Sequence, residues 1–444
     1  MIRNGAGELS QKLAATSIKK PSTETSRHLL IPHSSTISNP LQKIDLTTAL
    51  QYGQAQGYPP LYSFVRQFAL QNLHPNVPYK GGAEIIITCG STDGFSKVVE
   101  ALTNVWSEEK DWIRERPAIL CEEFAFMTAV QSCRPRGIQV VPVKIDLQGM
   151  IPTGPGSLED VLENWDESQG RRPHMMYTVT IGQNPTSGTV SIQRRKELYA
   201  ICSKYDVVII EDDPYWYLQF PSAAGLQAEA RNEPLPEPEP IHTFKNSTGY
   251  PYLDSLVPSY LNLDPDGRVI RLDTFSKTVA PGCRLETTTQ QPSGFVQAMI
   301  AELVMGPQAA SVEFSKKSKS EQLAFAGWKT DGWVRWLEGL RGSYERRMNR
   351  MCKILEEGQY LIKQGTSRNI SDSEWAVITK TKLCFAAVGE EEVEKSSKRF
   401  AEGVKAFWTI KNKEKLDDID KFDVEGNAEA MEGELVDLGM HMAC

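Results

Sequence analysis

The chain has 444 residues, 40% of them hydrophobic and 24% charged, and a formal net charge of −8. That length buries a large core and suggests two or three domains. The acidic balance argues against non-specific nucleic-acid binding, which needs a basic face. Eight cysteines without C-x-x-C spacing fit a reduced protein, and six histidines without H-x-H or H-E-x-x-H spacing argue against a metal site. Residues 1–20 hold no apolar core of signal-peptide length and no stretch approaches a membrane span, so a cytoplasmic protein is expected.

Residues 1–45 are rich in Ser, Thr and Lys with little periodicity and read as a loose arm. Tyr52 to Pro60 is a turn punctuated by Gly and Pro. It leads into a helix from about Leu61 to Asn72, with Leu61, Phe64, Val65, Phe68 and Ala69 on one face. Glu84–Cys89 reads as a buried strand. Gly90-Ser-Thr-Asp-Gly94 and a helix follow it, so Ser91 and Thr92 either bind an anion at the helix N-terminus or merely cap the helix. Pro117–Cys121 is the next strand. Phe126, in the loop at its end, either packs in the core or stacks on a planar ring. Val140–Val143 is a strand, 157–165 a helix and His174–Thr180 a strand ending in the turn that carries Asn184. Ser191 caps a helix to Tyr205, and Val207–Ile210 is an apolar strand ending in Glu211-Asp212-Asp213-Pro214-Tyr215-Trp216-Tyr217.

Strands and helices alternate throughout 84–210, which predicts an α/β fold with a mostly parallel sheet and helices on both faces. The polar clusters all fall at carboxyl ends of strands, where such sheets bind ligands. Residues 221–265 are rich in Pro, Glu and Ser and read as a solvated insertion loop. Val269–Leu272 is another strand, and a polar loop after it presents Lys277 between Ser276 and Thr278, with Arg284 downstream. Taken alone, Lys277 reads equally as a surface lysine or as a lysine that forms an imine with an aldehyde cofactor. A helix runs from Phe295 to Met305, and a longer one from Asp331 to about Lys363 with a break near Gly342. Trp375–Thr379 and Leu383–Val388 are strand-like, 390–408 is an amphipathic helix, and 411–444 is acidic and weakly hydrophobic, expected as a disordered tail.

In order, the strings Tyr-Gly…Gly-Tyr-Pro-Pro (52–60), Gly-Ser-Thr-Asp-Gly (90–94), Asn-Pro-Thr (184–186), Glu-Asp-Asp-Pro-Tyr-Trp-Tyr (211–217) and Thr-Phe-Ser-Lys-Thr-Val-Ala-Pro-Gly-Cys-Arg (274–284) resemble the class I/II aminotransferases. The closest likeness is to the aromatic and 2-aminoadipate branch. The resemblance implies the pyridoxal 5'-phosphate (PLP) transferase fold of type I, a three-layer αβα large domain over 46–310 and a reduced small domain over 311–410. It implies transfer of an amino group between an aromatic or related amino acid and a 2-oxo acid. Lys277 would hold the cofactor and move the substrate α-proton. Asp212 would meet the pyridine nitrogen, Tyr215 and Asn184 the phenolic oxygen, and Phe126 the ring face. Ser91, Thr92, Thr274, Ser276 and Arg284 would take the phosphate, joined by the partner subunit's Tyr52, which implies a homodimer.

The chain also departs from that pattern. Arg284-Leu285 passes straight to Glu286-Thr-Thr-Thr, so the antiparallel strand that the family places beside the lysine loop is missing. Lys382 stands where the family has the arginine that clamps the substrate carboxylate, and a lysine cannot make the planar fork. Ser187 replaces a glycine of the Asn-Pro-Thr-Gly turn. The gaps are abrupt and their flanks intact, as missing coding segments or a degenerate copy would leave. The alternative function is therefore a catalytically impaired PLP-binding remnant.

Overall fold

A computed structural model describes residues 49, 53, 56–146, 148–219, 246–280, 292–357, 391–399 and 402. The strands in chain order are Ala118–Glu122 (β1), Gln139–Val143 (β2), Ile145–Asp146 (β3), Gly149–Met150 (β4), Met175–Thr178 (β5), Val208–Asp212 (β6) and Val269–Leu272 (β7). Five of them form one sheet in the order β2-β1-β5-β6-β7, and every pairing in it is parallel. The small β3–β4 pair is antiparallel. β1 and β5 are buried at every residue, as apolar strands covered on both faces must be.

The main helices are Pro59–Phe68 (α1), Ser91–Leu102 (α2), Met127–Cys133 (α3), Leu158–Glu163 (α4), Ile192–Lys204 (α5), Gly294–Met305 (α6) and Asp331–Glu357 (α7). Strand alternation sends side chains to two separate cores. Met176 and Ile209 join Leu158, Leu162, Leu198 and Cys202 on one face of the sheet. Tyr177 and Ile210 join Phe95, Val99, Ile119 and Leu272 on the other. A third cluster gathers α1, α6 and α7 around Trp216, Trp328 and Trp333. Ser157, Ser191 and Ser293 cap α4, α5 and α6, each accepting a backbone N–H with its hydroxyl.

Several expectations need correction. Glu84–Cys89 is not a buried strand: it makes no ladder, and Ile86 is 75% exposed. An apolar run becomes a strand only when a neighbour takes its backbone groups. Among the described residues none pairs with the outer edge of β7, and a cavity of about 220 Å³ lies between residues 84–90 and Arg271, Asp273 and Thr274. The solvated-loop expectation does not hold for 246–265. Tyr252, Leu253, Leu256, Tyr260 and Leu261 there are buried, and the Trp216 indole donates to the Val257 carbonyl at 2.8 Å. The prolines that suggested a loop lie in 220–245, outside the described residues. The α7 helix runs through Gly342 without a break. Glycine in a helix costs about 1 kcal/mol, which does not overcome the packing of Trp333, Val334 and Leu337. The first helix ends its regular turns at Phe68 and widens into an i→i+5 turn over Ala69–Leu73. The strand-like runs at 375–379 and 383–388 lie outside the described residues.

Candidate active site

Asp212 ends β6 and is 6% exposed. Tyr177 lies opposite Ile210 in the β5–β6 register, so Asp212 is its diagonal neighbour on the same face. The Tyr177 hydroxyl donates to Asp212 Oδ2 at 2.8 Å, while Oδ1 is buried without a hydrogen-bond partner. Burial pushes the Asp212 carboxyl up to about 7. The Tyr177 hydroxyl opposes that, the Asp213 and Asp273 charges add to it, and Arg271 opposes it. A buried carboxylate oxygen with no donor is costly unless something supplies one. A ring N–H delivered to Oδ1 would do so.

The flanking acids face the other way. Glu211 pairs with Arg271 across the β6–β7 register, with a guanidinium–carboxylate distance of 2.9 Å. It also meets Arg195 of α5 at 3.2 Å, and both partners are fully buried. Arg271 reaches Asp213 Oδ2 at 3.2 Å and Asp273 Oδ1 at 3.1 Å. Asp213 Oδ1 takes the backbone N–H groups of Thr180 and Ile181 at 2.8 and 3.1 Å. The network ties the carboxyl ends of β5, β6 and β7 together. Sequence reasoning missed it, although an acidic triplet closing one strand and an arginine in the next strand are its visible signal.

The loop after β7 carries the other candidates. The Lys277 ammonium lies 5.6 Å from the centre of the Tyr215 ring. That ring packs beside Gly182, where an added Cβ would sit 3.7 Å from it, so the Asn184 turn and Tyr215 are neighbours. Thr274 Oγ1 and Ser276 Oγ lie 2.8 Å apart, and the Ser276 N–H donates to Thr274 Oγ1 at 3.1 Å. Helix α7 clamps this loop: the Trp336 indole donates to the Thr278 carbonyl at 2.7 Å, and Trp333 meets Phe275 at 6.0 Å between ring centres. These tryptophans also escaped sequence reasoning, because their partner is far away in the chain.

At the start of α2 the cap position is Gly90, which has no side chain with which to accept from the first turn. Ser91 and Thr92 occupy the first two helical positions, so neither is the cap residue. Gly94 comes so close to β7 that a Cβ there would lie 3.3 Å from Leu272, which brings the α2 N-terminus to the strand end. Gly90, Thr274 and Ser276 line the same cavity. Phe126 is half-buried and packs against the cluster of Phe95 and Tyr177. Gln183 is buried and anchors the Asn184 turn, accepting from Thr186 N–H at 2.9 Å and donating to the Phe124 carbonyl. Ser187 holds a φ of 61°, the left-handed region where glycine is the least strained residue. Tyr52, Arg284 and Lys382 lie outside the described residues. Among the described residues no helix is long and apolar enough to cross a membrane.

The parallel sheet, the acid at the end of β6 and the lysine after β7 define the class as fold type I aminotransferases, whose members depend on PLP. No family model matches the sequence. The chain is 33% identical over 401 residues to an aromatic amino acid aminotransferase of Schizosaccharomyces pombe, spanning 88% of this chain and 76% of that one. It is 32% identical over 332 residues to the L-tyrosine:2-oxoglutarate aminotransferase of Tapinella panuoides, across 70% of this chain and 53% of that one. The chain therefore spans about half to three quarters of the length of these relatives. In structure it resembles aminotransferase Aro8 from Candida albicans, with a TM-score of 0.61 and 24% identity over 85% of this chain and 83% of that one. The aromatic aminotransferase Aro9 from the same organism gives 0.60 and 24% over 89% and 96%. This chain belongs to the aromatic amino acid aminotransferase family, whose members move an amino group between an amino acid and a 2-oxo acid.

Proposed function

We propose that this chain binds PLP and transfers an amino group between an aromatic or related amino acid and a 2-oxo acid. The observation that carries the reading is Asp212, buried, held at one oxygen by Tyr177 and, among the described residues, lacking a donor at the other. When bound, the cofactor supplies an electron sink for the pair left as the substrate α-proton departs. Asp212 would meet the ring nitrogen and favour its protonated form, and Tyr215 and Asn184 would hold the phenolic oxygen. Phe126 would pack on the ring. Ser91, Thr92, Thr274, Ser276 and Arg284 would take the phosphate, whose charge suits the N-terminus of α2 and a forked guanidinium. Lys277 would hold the cofactor, and its Nζ would move a proton to and from the substrate α-carbon. Lys382 attracts the substrate carboxylate as a point charge. The same reading makes the protein a cytoplasmic homodimer in which the partner subunit's Tyr52 completes the phosphate site. It also divides the chain into an arm (1–45), a large domain (46–310), a reduced small domain (311–410) and a tail (411–444).

A second reading, a PLP binder with impaired turnover, is favoured by the run at 84–89 and the outer edge of β7, neither of which pairs in a ladder there among the described residues. Borohydride treatment of the PLP-loaded protein followed by peptide mass mapping tests the shared part. The tag is expected on Lys277 and absent from Lys277→Ala, and a tag elsewhere overturns the assignment. A single-turnover reaction with L-tyrosine then separates the two readings. Release of the 2-oxo acid supports the transferase, and its absence from a correctly tagged protein supports the impaired binder.

A further inference from the structure

We propose that Tyr177 is a positioning residue for the cofactor: its hydroxyl fixes the Asp212 carboxylate by Oδ2 and so reserves Oδ1 for the pyridine nitrogen. The inference rests on the cofactor reading above and extends it to a residue outside the candidate set.

Three features single out this tyrosine. It is fully buried, yet its hydroxyl is spent on a carboxylate two residues along the neighbouring strand. A buried tyrosine that served packing alone could be a phenylalanine, since the ring would fill the same space. Its ring meets Phe95 edge-on, 5.0 Å between centres at 70°. Phe95 is the fifth residue of α2, whose first two are Ser91 and Thr92. One side chain therefore touches both the acid at the strand end and the helix that begins at the candidate phosphate site. Finally, among the described residues Asp212 hydrogen-bonds through Oδ2 to Tyr177 and leaves Oδ1 without a partner, so that one bond opposes rotation of its carboxyl group.

The charges around the pair come from three strands. Asp213 just after β6, and Arg271 and Asp273 at the end of β7, act on Asp212 through their charges. Cys121 and Glu122 of β1 face Tyr177. The Asp212 carboxyl stands at about 7, and the Tyr177 hydroxyl is the main group holding it down. Losing that donor raises it further and leaves a smaller ionised fraction to meet the ring nitrogen at neutral pH.

The test is a titration of PLP into apoprotein between pH 6 and 9, followed by cofactor absorbance, for the wild type and Tyr177→Phe. Tyr177→Phe is expected to bind roughly five- to tenfold more weakly at pH 7. The deficit should shrink towards pH 9, where Asp212 is ionised in both proteins. Protonation of Lys277 and of the cofactor itself cancels in the ratio. In an Asp212→Asn background, adding Tyr177→Phe should change affinity by less than about twofold. A deficit independent of pH, no deficit, or an undiminished deficit in Asp212→Asn each overturns the proposal. If Tyr177→Phe loses its far-ultraviolet circular dichroism, 3,5-difluorotyrosine at the same position carries the test. It keeps the ring and strengthens hydroxyl donation, so the pH midpoint for binding should move down, and an unmoved midpoint overturns the proposal. Wild-type protein that binds no PLP refutes the cofactor reading instead.

Discussion

The carboxyl ends of β5, β6 and β7 adjoin the outer edge of β7, yet the two regions are built in different ways. At the strand ends Glu211, Asp213, Arg195 and Arg271 cross-link β6, β7 and helix α5 through buried ion pairs, and Asp213 accepts the Thr180 and Ile181 N–H groups that follow β5. At the edge, the apolar run 84–89 faces β7 across a cavity and pairs with none of the described residues in a ladder. The antiparallel strand expected after Arg284 falls on 281–291, outside the described residues. The supports of the candidate cofactor site are charges within paired strands. Among the described residues the outer edge of β7 has no neighbouring backbone to use.

The sharpest way to break this contrast is to remove Arg271. Arg271→Met leaves Glu211 and Asp213 buried beside a lost cation, and the expected destabilisation is about 3–5 kcal/mol by urea unfolding. A loss under about 1 kcal/mol would mean that the network does not hold the strand ends. Ile210→Ala, beneath Asp212 and fully buried, should cost about 2–5 kcal/mol.

Glu122 sharpens the electrostatic side. It lies at the end of β1, and burial pushes its carboxyl up to about 7 although Thr178 and the Val179 N–H donate to it. A carboxyl raised in the folded state favours folding below its unfolded value near 4.5, and that favour is lost as pH rises through about 7. Wild type should therefore lose roughly 2–3 kcal/mol relative to Glu122→Gln between pH 5 and 8, read from paired denaturation curves. Asp212 acts in the same direction in the apoprotein. A difference that stays flat with pH would place Glu122 in a wetter site than the fold implies.

The smallest effect belongs to the edge. Ile86→Ala should change stability by no more than about 0.5 kcal/mol, the ordinary cost at an exposed site. Amides of 84–88 should exchange with deuterium faster than those of 208–212. A large loss at Ile86, or equal protection of the two runs, would show that 84–89 has a strand partner after all.

The sequence by itself determined the alternation of strand and helix, the strand ends as the place for chemistry, and the identities of Asp212, Asn184, Tyr215 and Lys277 as candidates. These features are local: period, turn residues and short ordered strings survive without knowledge of what packs on them. Only the tertiary structure decided that Glu84–Cys89 lacks a ladder, because pairing needs a second strand that no local pattern supplies. Only the structure showed that much of 246–265 is core, since Tyr252, Leu253 and Leu256 pack with α1 and α7 and Tyr260 and Leu261 pack with α4 and α5, all distant in the chain. Tyr177 and Arg271 emerged the same way. Each looks like an ordinary strand residue until the parallel register sets it beside Asp212 or Glu211, where burial turns one hydroxyl and one guanidinium into supports for the site.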